Sequence, residues 1–199
     1  MLVERHGRKV HDKLCSATVG IAGLGGLGSN AAAALARTGI GTLIIADFDN
    51  VEPSNLNRQN YFTNQLGNDK VQTTIQNLKH INPYVKIHGH STRLNTGNIP
   101  EIFSNCSIIA ECFDNAQEKQ MLIETVLSKM PDTVVVAASG LAGYGMSNEI
   151  KTVKINSRLF IIGDQKSGIE KGLSLFCPRV MIAAAHQANA IVELIIDNI

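Results

Sequence analysis

No Cys-x-x-Cys pair occurs in this sequence; its four cysteines, Cys15, Cys106, Cys112 and Cys177, are scattered. Zinc sites built from thiolates draw on close pairs, so no structural zinc is expected. Also absent is an uninterrupted apolar stretch of the ~20 residues that a membrane-spanning helix needs. The apolar run near the end, Val180 to Ile196, is broken by His186, Gln187, Asn189 and Glu193 and reads as a largely buried globular helix, so no membrane contact is expected. The N-terminus carries Glu4, Arg5, Arg8, Lys9, Asp12 and Lys13 with no apolar segment before a cleavage site, which is not the pattern of a secretory signal. A cytoplasmic, reducing location is the expectation. Neither sign of charge is in marked excess: the net charge is +1, and the six histidines do not cluster. That leaves no electrostatic basis for binding nucleic acid or an acidic membrane. Repeats and low-complexity tracts are missing too.

What is present is enough apolar material for one substantial core: 44% of 199 residues are hydrophobic, in keeping with one domain and a small appendage. Charged residues from Glu4 to Leu14 suggest a short leading helix. The β-branched run Ala17 to Ala22 reads as a buried strand, Ser29 to Thr38 as an alanine-rich helix ended by Gly39 and Gly41, and Thr42 to Ala46 as a second strand closing at Asp47. That is the length of a parallel βαβ crossover. Phe48 to Asn64 is a long polar loop, of the kind that is often functional. Val71, Ile75, Leu78 and Ile81 recur at helical spacing, and Asn82–Pro83 stops that helix. Strands follow at Val85 to His90, Ser107 to Cys112 and Thr133 to Ala138, with helices at Asn98 to Ser104 and Gln117 to Lys129.

After Ser139 the pattern changes. Glu149 to Ile155 and Leu159 to Ile162 look like antiparallel strands at a sheet edge, Gly163 to Gly172 like a polar crossing loop, and Pro178 onward like the last helix. The expectation is an α/β, Rossmann-like, mainly parallel sheet with helices on both faces, extended by antiparallel edge strands. Residues 1–139 would form the nucleotide-binding part of a single domain, and 140–199 the extension, crossing loop and C-terminal helix.

Gly23, Gly25 and Gly28 spell G-x-G-x-x-G between the first strand and its helix. The first permits a tight turn, the second lets phosphates approach the backbone, and the third lets the helix lie close to the strand. Free N–H groups at the helix start then meet phosphate. Asp47 ends the next strand and can accept hydrogen bonds from ribose hydroxyls. These residues alone do not separate NAD from ATP.

The run Gly23-Leu24-Gly25-Gly26-Leu27-Gly28-Ser29, then Asp47-Phe48-Asp49, Ser54-Asn55-Leu56-Asn57-Arg58-Gln59, Lys70 and Asp114-Asn115 resembles the ubiquitin-activating-enzyme-like adenylyltransferases of the ThiF/MoeB/HesA family. A fainter echo lies in Pro178-Arg179-Val180 and His186-Gln187-Ala188-Asn189. The resemblance implies that ATP and a partner's C-terminal carboxylate react, with attack on the α-phosphate and loss of pyrophosphate. It implies a nucleotide loop of Gly23, Gly25, Gly26, Leu27 and Gly28, a ribose contact at Asp47, and further nucleotide contacts at Asp49, Asn55 and Gln59. Arg58 and Lys70 would face the polyphosphate, where a guanidinium suits bidentate contact. Asp114 would hold Mg²⁺, a hard cation that takes carboxylate, water and phosphate oxygens. An N-terminal arginine, Arg5 or Arg8 with Arg5 preferred, would reach the phosphates across a homodimer interface.

Each residue also has a plainer reading. Arg58 and Lys70 could be solvated surface cations, Asp49 a turn residue, Asp114 the cap of the following helix, and Lys119 an exposed helix lysine. Departures from the family pattern are the missing zinc cysteines, Glu111 where a strand-end Asp is common, Lys119 where Arg is common, and a crossing loop without cysteine. Cys177, beside Pro178, is the nearest thiol and reads better as structural. The expected partner is a ThiS-like ubiquitin-fold sulfur carrier. Other acceptors (a MoaD-like carrier, a peptide, a modified tRNA) and a non-catalytic nucleotide-binding subunit are the alternatives.

Overall fold

The computed structural model describes residues 2–168 and 172–197. Its leading segment is two helices rather than the expected one: α1 (Leu2–His6) and α2 (Arg8–Ser16). Gly7 parts them at φ 78°, a left-handed value open to a residue without Cβ. The strand β1 (Thr18–Ala22), the helix α3 (Gly26–Thr38) and β2 (Thr42–Asp47) follow as expected, except that α3 begins three residues earlier, inside the glycine loop. Gly39 ends α3 in the left-handed region, donating its N–H to Leu35 and Ala36 carbonyls. The polar loop after β2 holds short 3₁₀ turns at Pro53–Asn55 and Thr63–Gln65. Next come α4 (Lys70–Ile81), β3 (Lys86–Ser91), α5 (Ile99–Ile102), β4 (Ile108–Glu111), α6 (Ala116–Lys129), β5 (Val134–Ala138), β6 (Lys151–Asn156), β7 (Leu159–Gly163) and α7 (Cys177–Asp197). The expected crossing loop, Gly163 to Gly172, falls partly on residues 169–171, outside the described residues.

The seven strands form one sheet in the order β3-β2-β1-β4-β5-β7-β6. All neighbours are parallel except β6 with β7. The expected antiparallel extension is present at this edge: β6 runs against β7, which itself pairs parallel with β5 and continues the main sheet. Connections run outward in opposite directions from β1 and β4, so a crevice opens where their C-terminal ends part company. The glycine loop after β1 and the Phe113–Asp114 turn after β4 both project into it.

The central strands are apolar on both faces because both are covered. On one side Ile21, Leu35, Ile45, Val71, Ala183 and Ile191 share a core under α3, α4 and α7. On the other Phe103, Ile109, Leu122 and Val126 pack under α5 and α6. The helix α7 has the length and composition to cross a bilayer. Here it lies on the sheet and on α3, with Ala183, Ala184, Ala188 and Ile191 buried.

Candidate active site

Close packing dictates the glycine loop. Gly23 sits at φ 91°, and a Cβ there would meet the Cys112 carbonyl at 3.1 Å. A Cβ on Gly28 would fall 1.9 Å from the Gly23 carbonyl oxygen, so the third glycine is demanded by the loop's own backbone as well as by the strand beneath. Gly25 occupies the N-cap position of α3 with no side-chain cap. The first N–H groups of the helix, which have no partner within it, are thus left for a ligand. Asp47 braces this loop. Its Oδ2 accepts from Leu24 N–H at 2.6 Å and its Oδ1 from Asp49 N–H at 2.8 Å. The buried Tyr61 hydroxyl donates to the Leu24 carbonyl at 2.9 Å, and burial raises its pKa.

The polar loop is folded back against α3. Asn30 Nδ2 donates both to the Gly26 carbonyl at 2.7 Å and to the Arg58 carbonyl at 3.0 Å. Asn60 N–H donates to Ser29 Oγ at 3.0 Å. Asn55 is buried, with Oδ1 accepting from Glu52 N–H at 3.0 Å. Arg58 is half-buried and its Nη1 rests on the Ser54 carbonyl and Asn57 Oδ1, at 3.1 and 2.8 Å. Gln59 is buried and its Oε1 has no partner among the described residues. Lys70, the first residue of α4, is only 4% exposed and pairs with Asp49 Oδ2 at 3.0 Å. The reading of Lys70 as an ordinary surface lysine is thereby corrected.

Opposite lies the turn after β4. Asn115 caps α6, its Oδ1 accepting from Gln117 and Glu118 N–H at 2.8 and 3.1 Å. Asp114 is therefore not the cap, and its exposed carboxylate lines the cleft instead. Lys119, also on the cleft wall, is bound to Glu111, which is fully buried. Burial pushes the Glu111 pKa up and the Lys119 ammonium works against it. Together Gly23, Gly25, Gly26, Leu27, Asp47, Asp49, Asn55, Arg58, Gln59, Lys70 and Asp114 line one cavity of about 490 Å³, within the ~300–1,000 Å³ of small-molecule sites.

The family model for the ThiF family matches residues 1–197. The chain belongs to the ThiF family. Among its relatives, an adenylyltransferase and sulfurtransferase uba4 from Aspergillus niger is 42% identical over 147 residues, covering 73% of this chain and 30% of that protein. The sulfur carrier protein ThiS adenylyltransferase of Escherichia coli K12 is 33% identical over 135 residues, covering 67% and 54% respectively. The chain thus spans about a third of the Uba4 relatives and about half of the ThiS enzyme. In fold it resembles the E. coli tRNA N6-threonylcarbamoyladenosine dehydratase TcdA solved with ATP, at TM-score 0.89 and 20% identity, with 99% of this chain and 93% of that one covered.

The ThiF-family cleft has residues that sequence reading missed. Thr92, Leu94 and Phe113 line it, with Phe48, which the Asp47-Phe48-Asp49 run contained without a role. The Arg93 guanidinium lies 4.1 Å from the Phe48 ring centroid and pairs with Glu118 at 2.8 Å. This is a partly apolar wall that could receive a nucleobase. Only tertiary folding brings the end of β3 there, so no local signal marks it. Gln187, wholly buried, donates to the Glu111 and Val136 carbonyls at 3.0 and 2.7 Å. It was visible in the echo over 186–189, but without a role.

Arg5 stands apart. The α1 residue Leu2 packs against Gly39, at the C-terminal end of α3, whereas the cleft is at the other end. The helix has 13 residues, about 20 Å at its ordinary rise. Within one subunit Arg5 does not line the cleft, and neither does Arg8; a role at the phosphates requires a second copy. Cys177 opens α7 and does not line the cleft either. Cys112 does, but its thiol is pushed up by burial and by the neighbouring Glu111, which disfavours the thiolate form.

No group of three or more His, Cys, Asp or Glu among the described residues is placed to hold a metal. A single free carboxylate such as Asp114 fits Mg²⁺ nonetheless, because that ion keeps its waters and takes its remaining ligands from substrate phosphates.

Proposed function

We propose that this chain adenylates the C-terminal glycine carboxylate of a small, ThiS-like ubiquitin-fold sulfur carrier, releasing pyrophosphate. The observation that supports this most is the convergence in one cleft of an uncapped helix N-terminus, two cationic side chains, a strand-end carboxylate and a free carboxylate opposite. The α3 amides and Lys70 suit the phosphate oxygens, Asp47 the ribose hydroxyls, and Arg58 and Asn55 the charge that develops as the carboxylate attacks the α-phosphate. Asp114 would hold Mg²⁺, which supplies charge neutralisation on the leaving pyrophosphate. No covalent enzyme group is needed; the chemistry is positioning and charge stabilisation. The likeness to a ThiS adenylyltransferase supports the choice of carrier, and with it a place in thiamine biosynthesis. We also place the chain in the cytoplasm as a homodimer.

ATP–pyrophosphate exchange tests the reading. Exchange is expected with a ThiS-like carrier ending in glycine, and Asp114→Ala should abolish it while leaving the melting temperature near that of the parent. Exchange with a MoaD-like carrier, a peptide or a modified tRNA instead would move the acceptor while keeping the chemistry. ATP binding without exchange on any acceptor would leave only a nucleotide-binding subunit.

A further inference from the structure

Asp114 makes no hydrogen bond or ion pair with the described residues, so the position of its turn and its own side-chain rotamers decide where its carboxylate can reach. That turn is held at both ends. On one side Glu111 Oε1 accepts from Phe113 N–H at 2.7 Å. On the other Asn115 caps α6. Spanning the two, Lys119 Nζ reaches both oxygens of Glu111, at 3.0 and 2.9 Å.

Glu111 is the last residue of β4 with no exposed surface, and Lys119 is in the second turn of α6. Burying a lone carboxylate is strongly unfavourable, so the pair stands or falls together. A strand end, a helix start and the turn between them are thus locked by one ion pair at the cleft wall. Gln187 fixes the same strand end from α7, through the Glu111 carbonyl. Groups that hold a ligating carboxylate in place are often as necessary as the carboxylate.

We propose that Glu111 and Lys119 are positioning residues for Asp114: their ion pair sets the direction from which its carboxylate meets the Mg²⁺ of bound ATP. The proposal rests on the adenylyltransferase reading for the identity of the ligand. Neither residue is catalytic; each acts through the Phe113–Asp114 turn.

The test is the factor by which Mg²⁺ tightens ATP, measured by titration calorimetry in excess Mg²⁺ and in EDTA. Lys119→Met should reduce that factor on the order of tenfold, the usual effect of losing support behind a metal ligand. Hydrogen exchange at the Phe113 amide should quicken in the same variant without nucleotide or metal. Should Lys119→Met unfold because Glu111 is left unpaired, the double variant Glu111→Gln with Lys119→Met removes both charges. It should recover melting temperature but not the Mg²⁺ factor. Lys119→Arg should recover most of the factor.

A double variant with the parent's Mg²⁺ factor would mean that the pair only stabilises the fold, and would overturn the proposal. A parent whose ATP affinity is indifferent to Mg²⁺ would overturn it as well. Pyrophosphate exchange run alongside separates the two readings. Loss of exchange on every acceptor with the Mg²⁺ factor behaving as expected defeats the proposed function and leaves this one standing.

Discussion

Lys70 shows how much a single residue's surroundings change its meaning. A lysine that opens a helix is usually hydrated, yet this one is buried and held by Asp49 at the cleft. A buried ammonium needs an anionic partner, and a triphosphate is a richer one than a single carboxylate. Lys70→Met keeps the aliphatic stem and removes the charge. Turnover in the exchange assay should fall about 10²-fold, the scale of losing one fixed charge-stabilising donor. Asp49, about half exposed on its side chain, stays hydrated, so the melting temperature should hardly move. Asp164 is the contrasting case, an acid whose role is structural. Its burial favours the neutral form, but N–H donors from Ser167 and Lys166, the Ser167 hydroxyl and the Arg179 guanidinium outweigh that and hold its pKa below the ordinary carboxylate range. A carboxylate with a lowered folded pKa contributes stability above its unfolded pKa, and that contribution is lost as pH falls through the folded value. Asp164→Asn should therefore lower the melting temperature at neutral pH. The gap to the parent should begin to close below about pH 4, where Asp protonates in the unfolded chain, and vanish once pH has fallen through the lowered folded value. A gap that is constant from neutral to acid pH would show that the charge does not matter.

At the scale of elements, the last helix ties the cleft to the body of the protein. Arg179, buried near the start of α7, bonds the Gly145 carbonyl at 2.8 Å as well as Asp164, so the segments after β5 and β7 are anchored to one helix. Two turns further on, Gln187 reaches the end of β4 and the middle of β5. Gln187→Leu keeps the volume and orphans those contacts. The expected loss is about 1–3 kcal/mol, the penalty for an unsatisfied buried group, read as a lower denaturation midpoint with an unchanged slope. The sheet edges are managed differently. Both outer strands, β3 and β6, are largely exposed and carry Lys86, Lys151 and Lys154, charges that discourage edge-to-edge pairing.

At the scale of the whole molecule, the N-terminal helices lie at the opposite end of α3 from the cleft, so an arginine there can serve the phosphates only from another subunit. With the homodimer taken as a proposal, two inactive chains should complement each other. Mixing Arg5→Ala with Asp114→Ala should restore pyrophosphate exchange, since one of the two shared sites would again be whole. Sedimentation should show a dimer. Complementation with Arg8→Ala in place of Arg5→Ala would assign the role to Arg8, and failure of both pairs would leave the N-terminal helices without a part in the site. The sequence by itself determined the sheet's strands, the helices on its faces and the glycine loop, because those depend on short-range patterns: β-branched runs, helical periodicity, and glycines where a Cβ cannot fit. It also marked Asp47 by its place at the end of the second strand, and Asn55, Arg58, Lys70 and Asp114 through the resemblance that the short runs around them carry. Only the tertiary structure decided which of these are buried, that Asn115 rather than Asp114 caps α6, that β7 joins the parallel sheet, and that Glu111, Lys119 and Gln187 converge behind Asp114. Those relations depend on the order in which strands pair and on where helices pack across the sheet, and residues brought together that way are far apart along the chain.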